Sequence, residues 1–475
     1  MMAMPLETSL LLQLEQFLAG AKLPALLEPG EAILPLTPLN HSLEFKSSHV
    51  LLQAWEDHRN LSRRVIRATR SQRGKLELAV QLFGGREGKL LLLDLASPHT
   101  AEWRKRGRKL EFRERFHRFL TREYPDWRVA EVTTEPDLEH SLSPAFPRAF
   151  LCRGNRGLAA IAAPPAQADS AGILTFGLIW LAYLRAREPK LQIRELLLLV
   201  PLGREKQTAL RLGFLNQPCR LHIYDEDDLA IRIDPRDAGN LDTHLPNCHR
   251  APMHIDEAAS ELAAVPGFEH VPQPEGTASL RIHGLEFARL PGKATDRELL
   301  THARELSTLR NQPGSLLHAK DPERWLESQV RTNLPQIDPT LLPAPVYGQV
   351  PAFTGGDRGI ADLLAITHAG RLAVIELKAS ADIHLPLQAL DYWMRVAQHA
   401  ASGDFTRAGY FPQLTISAEP PKLLLVAPAL QFHSTAETVL SFFSRDIEVQ
   451  RIGLGSNWRA ELRTMFRLNG ADHPL

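Results

Sequence analysis

The distribution of apolar and polar positions divides the chain into stretches of contrasting texture. The opening MMAMPLETSLLLQLEQFLAG spaces its leucines along one face of an amphipathic helix, with Glu7 and Glu15 among them. Strand-like runs follow at 76–83 (LELAVQLF) and 89–96 (KLLLLDLA), and the Gly-rich GGREGK between them predicts an antiparallel hairpin. Residues 111–124 carry helical spacing. Short β-rich runs around 127–133, 147–153 and 157–163 then precede an apolar helix at 172–184 and the strand RELLLLVPLG. Between about 226 and 316 frequent Pro, Asp, His and Asn leave only TASLRIHGLEFARL (277–290) as a predicted strand or hairpin, so this stretch reads as a connecting region with limited structure of its own.

A second ordered series begins at DPERWLESQVRTNL, where Asp321 is expected to cap a helix carrying Trp325, Leu326 and Val330 on one face. Strands are predicted at PVYGQV, GIADLLAIT and RLAVIELKA, with a turn at HAG. A helix over 384–399, the strand KLLLVAP (422–428), a helix at STAETVLSFFSRD and the strand IEVQRIGL complete it. Helix, three strands, helix, strand, helix, strand is an α/β order. The expected divisions are 1–109, an N-terminal helical and hairpin region; 110–226, an α/β domain; 227–317, the connection; and 318–475, a second α/β domain.

Length agrees with several domains, since 475 residues exceed one ordinary hydrophobic core. Lys plus Arg and Asp plus Glu are both 55, so the whole-molecule field advertises no polyanionic partner and any such contact must come from local patches. Cys152, Cys219 and Cys248 lie far apart and leave one unpaired, which argues against a secreted disulfide framework and fits a reducing cytoplasm. The start has no basic segment ahead of its apolar residues and does not read as a signal peptide. The strongest apolar run, 172–184, has thirteen residues closed by Arg185 and Arg187, where a membrane span needs about twenty. No membrane partner is expected.

The chemistry concentrates in two neighbouring strands. Asp362 lies in one and Glu376 and Lys378 in the next, where residues two apart project from the same side. Lone charges inside AVIELKA would be costly without a compensating cation or substrate. Two carboxylates on rigid strands suit Mg²⁺, a hard ion that takes oxygen ligands and keeps waters and a substrate phosphate oxygen. A Glu and Lys two apart on an edge strand can also be an ordinary solvated pair.

These residues resemble the PD-(D/E)XK nuclease superfamily, and within it the RecB-like branch. The match is Asp362 and Glu376-Leu377-Lys378, preceded by Glu327 in the leading helix and followed by Gln388 and Tyr392, which fit that branch's QxxxY motif. The residue before Asp362 is Ala361 where the superfamily's name has proline. The resemblance covers residues 318–455, under a third of the chain. It implies a restriction-endonuclease-like αβββαβ core and hydrolysis of phosphodiester bonds in DNA with Mg²⁺ or Mn²⁺. Asp362, Glu376 and Glu327 would bind the metal, with the carbonyl of Leu377 a further ligand. Lys378 would orient or help deprotonate the attacking water, and Gln388 and Tyr392 would position the strand. A non-catalytic nucleic-acid-binding or assembly protein that keeps the fold is the alternative. A homodimer or a protein partner, including one that delivers substrate to an otherwise silent nuclease, stays open.

The first α/β series resembles a degenerate copy of the second. An offset of 214 residues lays RAFLCRGNRGLAAIAAPP (148–165) over DLLAITHAGRLAVIELKA (362–379) without a gap, each followed by an apolar helix with a Trp, Trp180 or Trp393. ERF at 114–116 matches ERW at 323–325. The active positions then become Arg118, Arg148, Ala162 and Pro164, which cannot hold a divalent ion. The alternative is that α/β domains share generic texture.

Two basic runs, His58 to Lys75 and Arg104 to Lys109, are candidates for phosphate contact or plain solvated faces. His244, Cys248, His249 and His254 match no familiar zinc spacing. Three cysteines cannot ligate an iron-sulfur cluster that needs four. No GxxxxGK[ST] motif is present.

Overall fold

The computed structural model describes residues 6–29, 31, 33–46, 49–56, 59–82, 86–165, 172–225, 230–237, 239, 241, 243–248, 258–272, 277–290, 296–351 and 360–470. It is a mixed α/β structure whose contacts separate two compact units. One comprises 1–136, 143–168 and 224–230; the other comprises 137–142, 169–223 and 231–475.

In the first unit, helix α1 (Leu6–Gly20) precedes strands β1 (Pro24–Leu27), β2 (Leu34–Pro35), β3 (His41–Lys46), β4 (His49–Glu56), β5 (Arg59–Gln72), β6 (Lys75–Gln81) and β7 (Glu87–Asp94), which form one seven-stranded sheet in the order β2-β1-β7-β6-β5-β4-β3. Alternation gives it an apolar face, where Leu10 and Leu14 of α1 pack with Val50, Leu52, Val65, Leu78 and Leu90. The hairpin expected at 76–96 is β6–β7, with Lys75 opposite Leu93; Phe83 to Gly85 of its turn lie outside the described residues. The first basic run is largely strand β5: Leu61 and Val65 enter the core while Arg64, Arg67 and Arg70 are exposed, Arg67 paired with Glu87 at 2.6 Å.

Helix α2 (Ala101–Glu123) starts ten residues before the predicted 111 and absorbs the second basic run, in which the side chains of Arg104 and Arg106 lie outside the described residues. Three antiparallel strands follow, β8 (Arg128–Thr133), β9 (Arg148–Arg153) and β10 (Arg156–Ala162).

The second unit begins with α3 (Ile173–Arg187), β11 (Gln192–Pro201), α4 (Lys206–Leu212) and β12 (Cys219–Tyr224), then β13 (Ala230–Ile233). Among the described residues no helix is long and apolar enough to cross a membrane. The stretch read as a connection is more structured than its texture suggests. Helix α5 (Ala258–Ala263), the antiparallel sheet β14 (Phe268–Pro272), β15 (Ala278–Ile282) and β16 (Leu285–Leu290), and helix α6 (Asp296–Asn311) share an apolar core of Leu262, Val265, Leu280, Ile282, Leu299 and Ala303.

Then come α7 (Leu316–Ala319), α8 (Pro322–Thr332), α9 (Leu334–Ile337), β17 (Tyr347–Pro351), β18 (Ile360–Ile366), β19 (Leu372–Leu377), α10 (Leu385–Ala401), α11 (Asp404–Arg407), β20 (Lys422–Pro428), α12 (Ala436–Leu440), β21 (Val449–Leu454) and β22 (Thr464–Asn469). Asp321 occupies the position before α8 as expected, but with a left-handed backbone (φ 44°) its side chain makes no capping bond. The six strands lie in chain order, β17 to β19 antiparallel, β19 to β21 parallel and β22 antiparallel at the edge. One face buries Leu363, Ala365, Ala373, Ile375 and Leu377 with Trp325, Leu326 and Val330 of α8; α10 packs on β19 and β20. Gly370 makes the β18–β19 turn at φ +81°, where a side chain would meet the carbonyl of Thr415.

The two hairpins do not superpose without a gap. Arg153 pairs with Arg156 across a two-residue turn, whereas Ile366 pairs with Leu372 across five. The residue opposite Arg148 is therefore Ile161 rather than Ala162, and an offset of 214 slips by one residue across the turn. Either register leaves the first hairpin without an acid, since β9 and β10 contain no Asp or Glu. The Arg148 guanidinium donates to the carbonyls of Ser143 and Glu135 at 2.8 and 2.6 Å.

Candidate active site

The site lies where the β18–β19 ladder opens. The last paired residues are Leu363 and Ile375, so Asp362 and Glu376 face each other just beyond the final rung. Asp362 turns one oxygen into the gap, and its Oδ2 accepts the Leu377 N–H at 2.8 Å. Glu376 is 3% exposed, and its Oε2 is buried with no hydrogen-bond partner among the described residues. An unsatisfied buried carboxylate oxygen is costly unless it is protonated or meets a cation.

Lys378 follows directly, anchored by its N–H to the carbonyl of Val426 at 3.1 Å. Its Nζ lies 3.8 Å from Glu323 Oε1 and 3.9 Å from Asp382 Oδ2. Four carboxyl groups, Glu323, Asp362, Glu376 and Asp382, thus act on one amine. Burial, opposed by the Leu377 hydrogen bond and reinforced by the charge of Glu327, pushes the Asp362 carboxyl up to about 7. Burial and the charge of Asp362 hold Glu376 well above the usual range. Burial alone would lower Lys378, yet the surrounding carboxylates, Glu323 first, raise it, so the amine stays protonated at neutral pH.

Glu327 is placed differently from its partners. It is 4% exposed on α8, where one oxygen is held by Arg331 and lies 3.8 Å from Arg281 Nη1 of β15. Gly348 on β17 leaves room for this pair, because a Cβ there would meet both Arg331 and Glu327. Glu327 therefore acts on Asp362 through its charge while one of its carboxylate oxygens is held by two arginines. Gln388 and Tyr392 stand one turn apart on α10, both half-buried, on the helix packed against β19 and β20; the charged cluster is drawn from α8, β18, β19 and the segment after it.

Two members were missed in the sequence. Glu323 lies one helical turn before Glu327 on α8, a spacing that could have drawn attention to it, and Asp382 lies four residues beyond Lys378 without a motif to mark it. Of the His/Cys group, His249 and His254 lie outside the described residues. Among the described residues no group of three or more His, Cys, Asp or Glu side chains is arranged to hold a metal ion.

The raised carboxyls predict a pH-dependent response to divalent ions. A carboxyl whose folded pKa exceeds its unfolded value near 3.8 binds its proton more tightly when folded. Its ionisation therefore costs stability as pH rises from about 4 toward 7, and the cost is complete above 7. Mg²⁺ or Mn²⁺ is expected to raise the melting temperature at pH 8 and to do much less at pH 5.5, with Asp362→Asn removing the response. An equal metal-induced shift at both pH values, measured by differential scanning fluorimetry, would contradict this.

No protein-family model, no curated protein and no solved structure matches the chain.

Proposed function

We propose that the second unit is a metal-dependent nuclease with a restriction-endonuclease-like core of the RecB-like PD-(D/E)XK kind, hydrolysing phosphodiester bonds in DNA. The observation that carries this reading is the pair of carboxyls, half-buried Asp362 and buried Glu376, at the open end of the β18–β19 ladder, with an unsatisfied Glu376 oxygen and a protonated Lys378 beside them. Their chemistry fits Mg²⁺ or Mn²⁺, which need only one or two carboxylates when waters and substrate oxygens complete the shell. Asp362 and Glu376 would hold the ion, with the Leu377 carbonyl as a further donor. When bound, such an ion supplies positive charge at the scissile phosphate and acidifies water.

The protein's own groups divide the remaining work. Lys378, kept cationic by Glu323 and Asp382, steadies negative charge developing on the phosphate rather than acting as a base. Asp362 is fixed by the Leu377 N–H, so its free oxygen keeps one direction. Gln388 and Tyr392 position the nucleic-acid strand from α10. Glu327 serves as the anchor of Arg331 and Arg281.

A second reading is a nucleic-acid-binding or assembly protein that keeps the fold without the chemistry, favoured by the lack of a three-ligand group among the described residues. Incubation of the purified chain with labelled single-stranded, double-stranded and branched DNAs and RNAs, with and without Mg²⁺ or Mn²⁺, separates the two. Metal-dependent cleavage of at least one DNA is expected; chelator-insensitive binding with no cleavage would reject the enzyme.

A further inference from the structure

Regular alternation does not account for where the arginines of β5 point. Val65 is buried in the core beneath α1, so an unbroken strand would send Arg67, two residues on, to the same covered side of the sheet. Two β-bulges prevent this. The ladder steps from Val65–Val80 to Arg67–Ala79 and from Ala68–Leu78 to Arg70–Glu77, skipping Ile66 and Thr69. Leu78 and Val80 lie in the core, so Glu77, Ala79 and Gln81 point away from α1, and the residues opposite them, Arg70, Arg67 and Arg64, do the same. All three arginines are exposed, while Ala68 packs against the core.

The result is a straight file of guanidinium groups on a hydrogen-bonded strand. Each step of the file spans two residues of β6, about 6.8 Å. One strand of a DNA duplex advances about 3.4 Å per phosphate along its axis, so the file repeats with every second phosphate in axial rise. The neighbouring side chains keep the field positive. On β5, β6 and β7 this face sets Arg64, Arg67, Arg70, Lys75 and Lys89 against Glu77 and Glu87, an excess of three positive charges. Lys75 and Lys89 lie 2.6 and 2.8 Å from Glu77, and their hydrogen bonds hold its carboxyl down to about 2, so two cations compensate one acid. Arg67 meets Glu87 at 2.6 Å in an exposed pair that a phosphate can displace at little cost. Glu44, on the same side, stands two strands from β5 on β3.

We propose that this face of the first unit's sheet binds the sugar-phosphate backbone of DNA without reading its sequence, with Arg64, Arg67 and Arg70 contacting phosphates. Guanidinium groups grip phosphate oxygens in a bidentate fork. Even spacing on a rigid strand suits a polymer of evenly spaced charges better than a lipid surface, whose headgroups move independently. The proposal stands apart from the nuclease reading, because it concerns affinity and is measured where no metal is present.

The test is a titration of the full-length protein into a fluorescein-labelled DNA duplex of arbitrary sequence in EDTA, read by anisotropy at several salt concentrations. The triple variant Arg64→Gln, Arg67→Gln, Arg70→Gln is expected to bind at least about tenfold more weakly at low salt, and its log K against log salt to flatten by roughly one per arginine. Lysine at the same three positions is expected to recover most of that slope, which a loss caused by misfolding would not allow. Removing equal charge from other exposed positions, Lys190→Gln, Arg194→Gln and Arg204→Gln, is expected to leave binding at the wild-type level. Unchanged affinity and slope in the first variant, an equal loss in the last, or a wild-type protein that binds no duplex would overturn the proposal. Binding to phosphatidylserine vesicles that the first variant loses while it keeps its grip on DNA would assign the face to a membrane surface instead.

Discussion

Asp362→Ala and Lys378→Ala are each expected to lower Mg²⁺-dependent cleavage by roughly 10²–10³-fold or more, the scale seen when one preorganised charge is removed from a reaction centre. Neither change should unfold the protein. Asp362 ionises against burial and against neighbouring carboxylates, so its removal relieves strain at neutral pH. The melting temperature at pH 8 without metal is expected to stay level or rise. Glu327→Gln behaves oppositely in this account. It strips the charge that Arg331 and Arg281 share on a 4% exposed side chain, so it should lower the melting temperature as well as the rate. Glu323→Gln should reduce the rate mildly by loosening Lys378. Single-turnover rates and thermal melts on the four variants check the division of roles. Full activity in Asp362→Ala would remove the catalytic assignment, and an Asp362→Ala protein that melts far below wild type would show the residue to be a structural one.

Much of this site was legible because it is built from local pattern. The spacing of Asp362, Glu376 and Lys378 on two strands joined by a Gly turn fixes their neighbourhood through strand alternation and hairpin closure, and β18, β19 and β20 fall where the sequence put them. What escaped the sequence depends on tertiary approach. Glu323 meets Lys378 across 55 positions and Glu327 approaches Arg281 across 46; the β15–β16 hairpin that carries Arg281 was expected at 277–290, but its approach to α8 was not. The basic run 58–75 carries cations at a spacing that serves a strand as readily as a helix, and the sheet decided the matter by burying Leu61 and Val65. Asp321 has a capping residue's identity, yet its backbone turns left-handed and its carboxylate does not reach the first amides of α8. The gap-free overlay of the two hairpins failed at the turn because loop length cannot be read from matched strands on either side.

Arg211→Ala is expected to destabilise the second unit by about 3–5 kcal/mol, the cost of leaving a buried charge without its partner. The pair it breaks joins α4 to α10, 180 residues apart. Arg211 Nε reaches Asp391 Oδ1 at 2.9 Å and Nη2 reaches Oδ2 at 2.8 Å, while Gln207 adds a bond to Oδ2 at 2.6 Å. The side chains are 5% and 7% exposed, so no solvent can replace a lost partner. An alanine at 211 takes the guanidinium from the Asp391 carboxylate, which keeps the Gln207 bond, whereas exchanging both residues for Met and Leu removes the charges together and should cost far less. Arg211→Met, Asp391→Leu and the double variant, compared with wild type by urea denaturation, form a cycle whose coupling energy measures the pair. Asp391 lies on α10 between Gln388 and Tyr392, so the same substitution should also weaken substrate binding more than the chemical step, raising KM ahead of any fall in kcat. An Arg211→Ala protein with an unchanged denaturation midpoint would mean that the Arg211–Asp391 pair contributes little to holding α4 on α10.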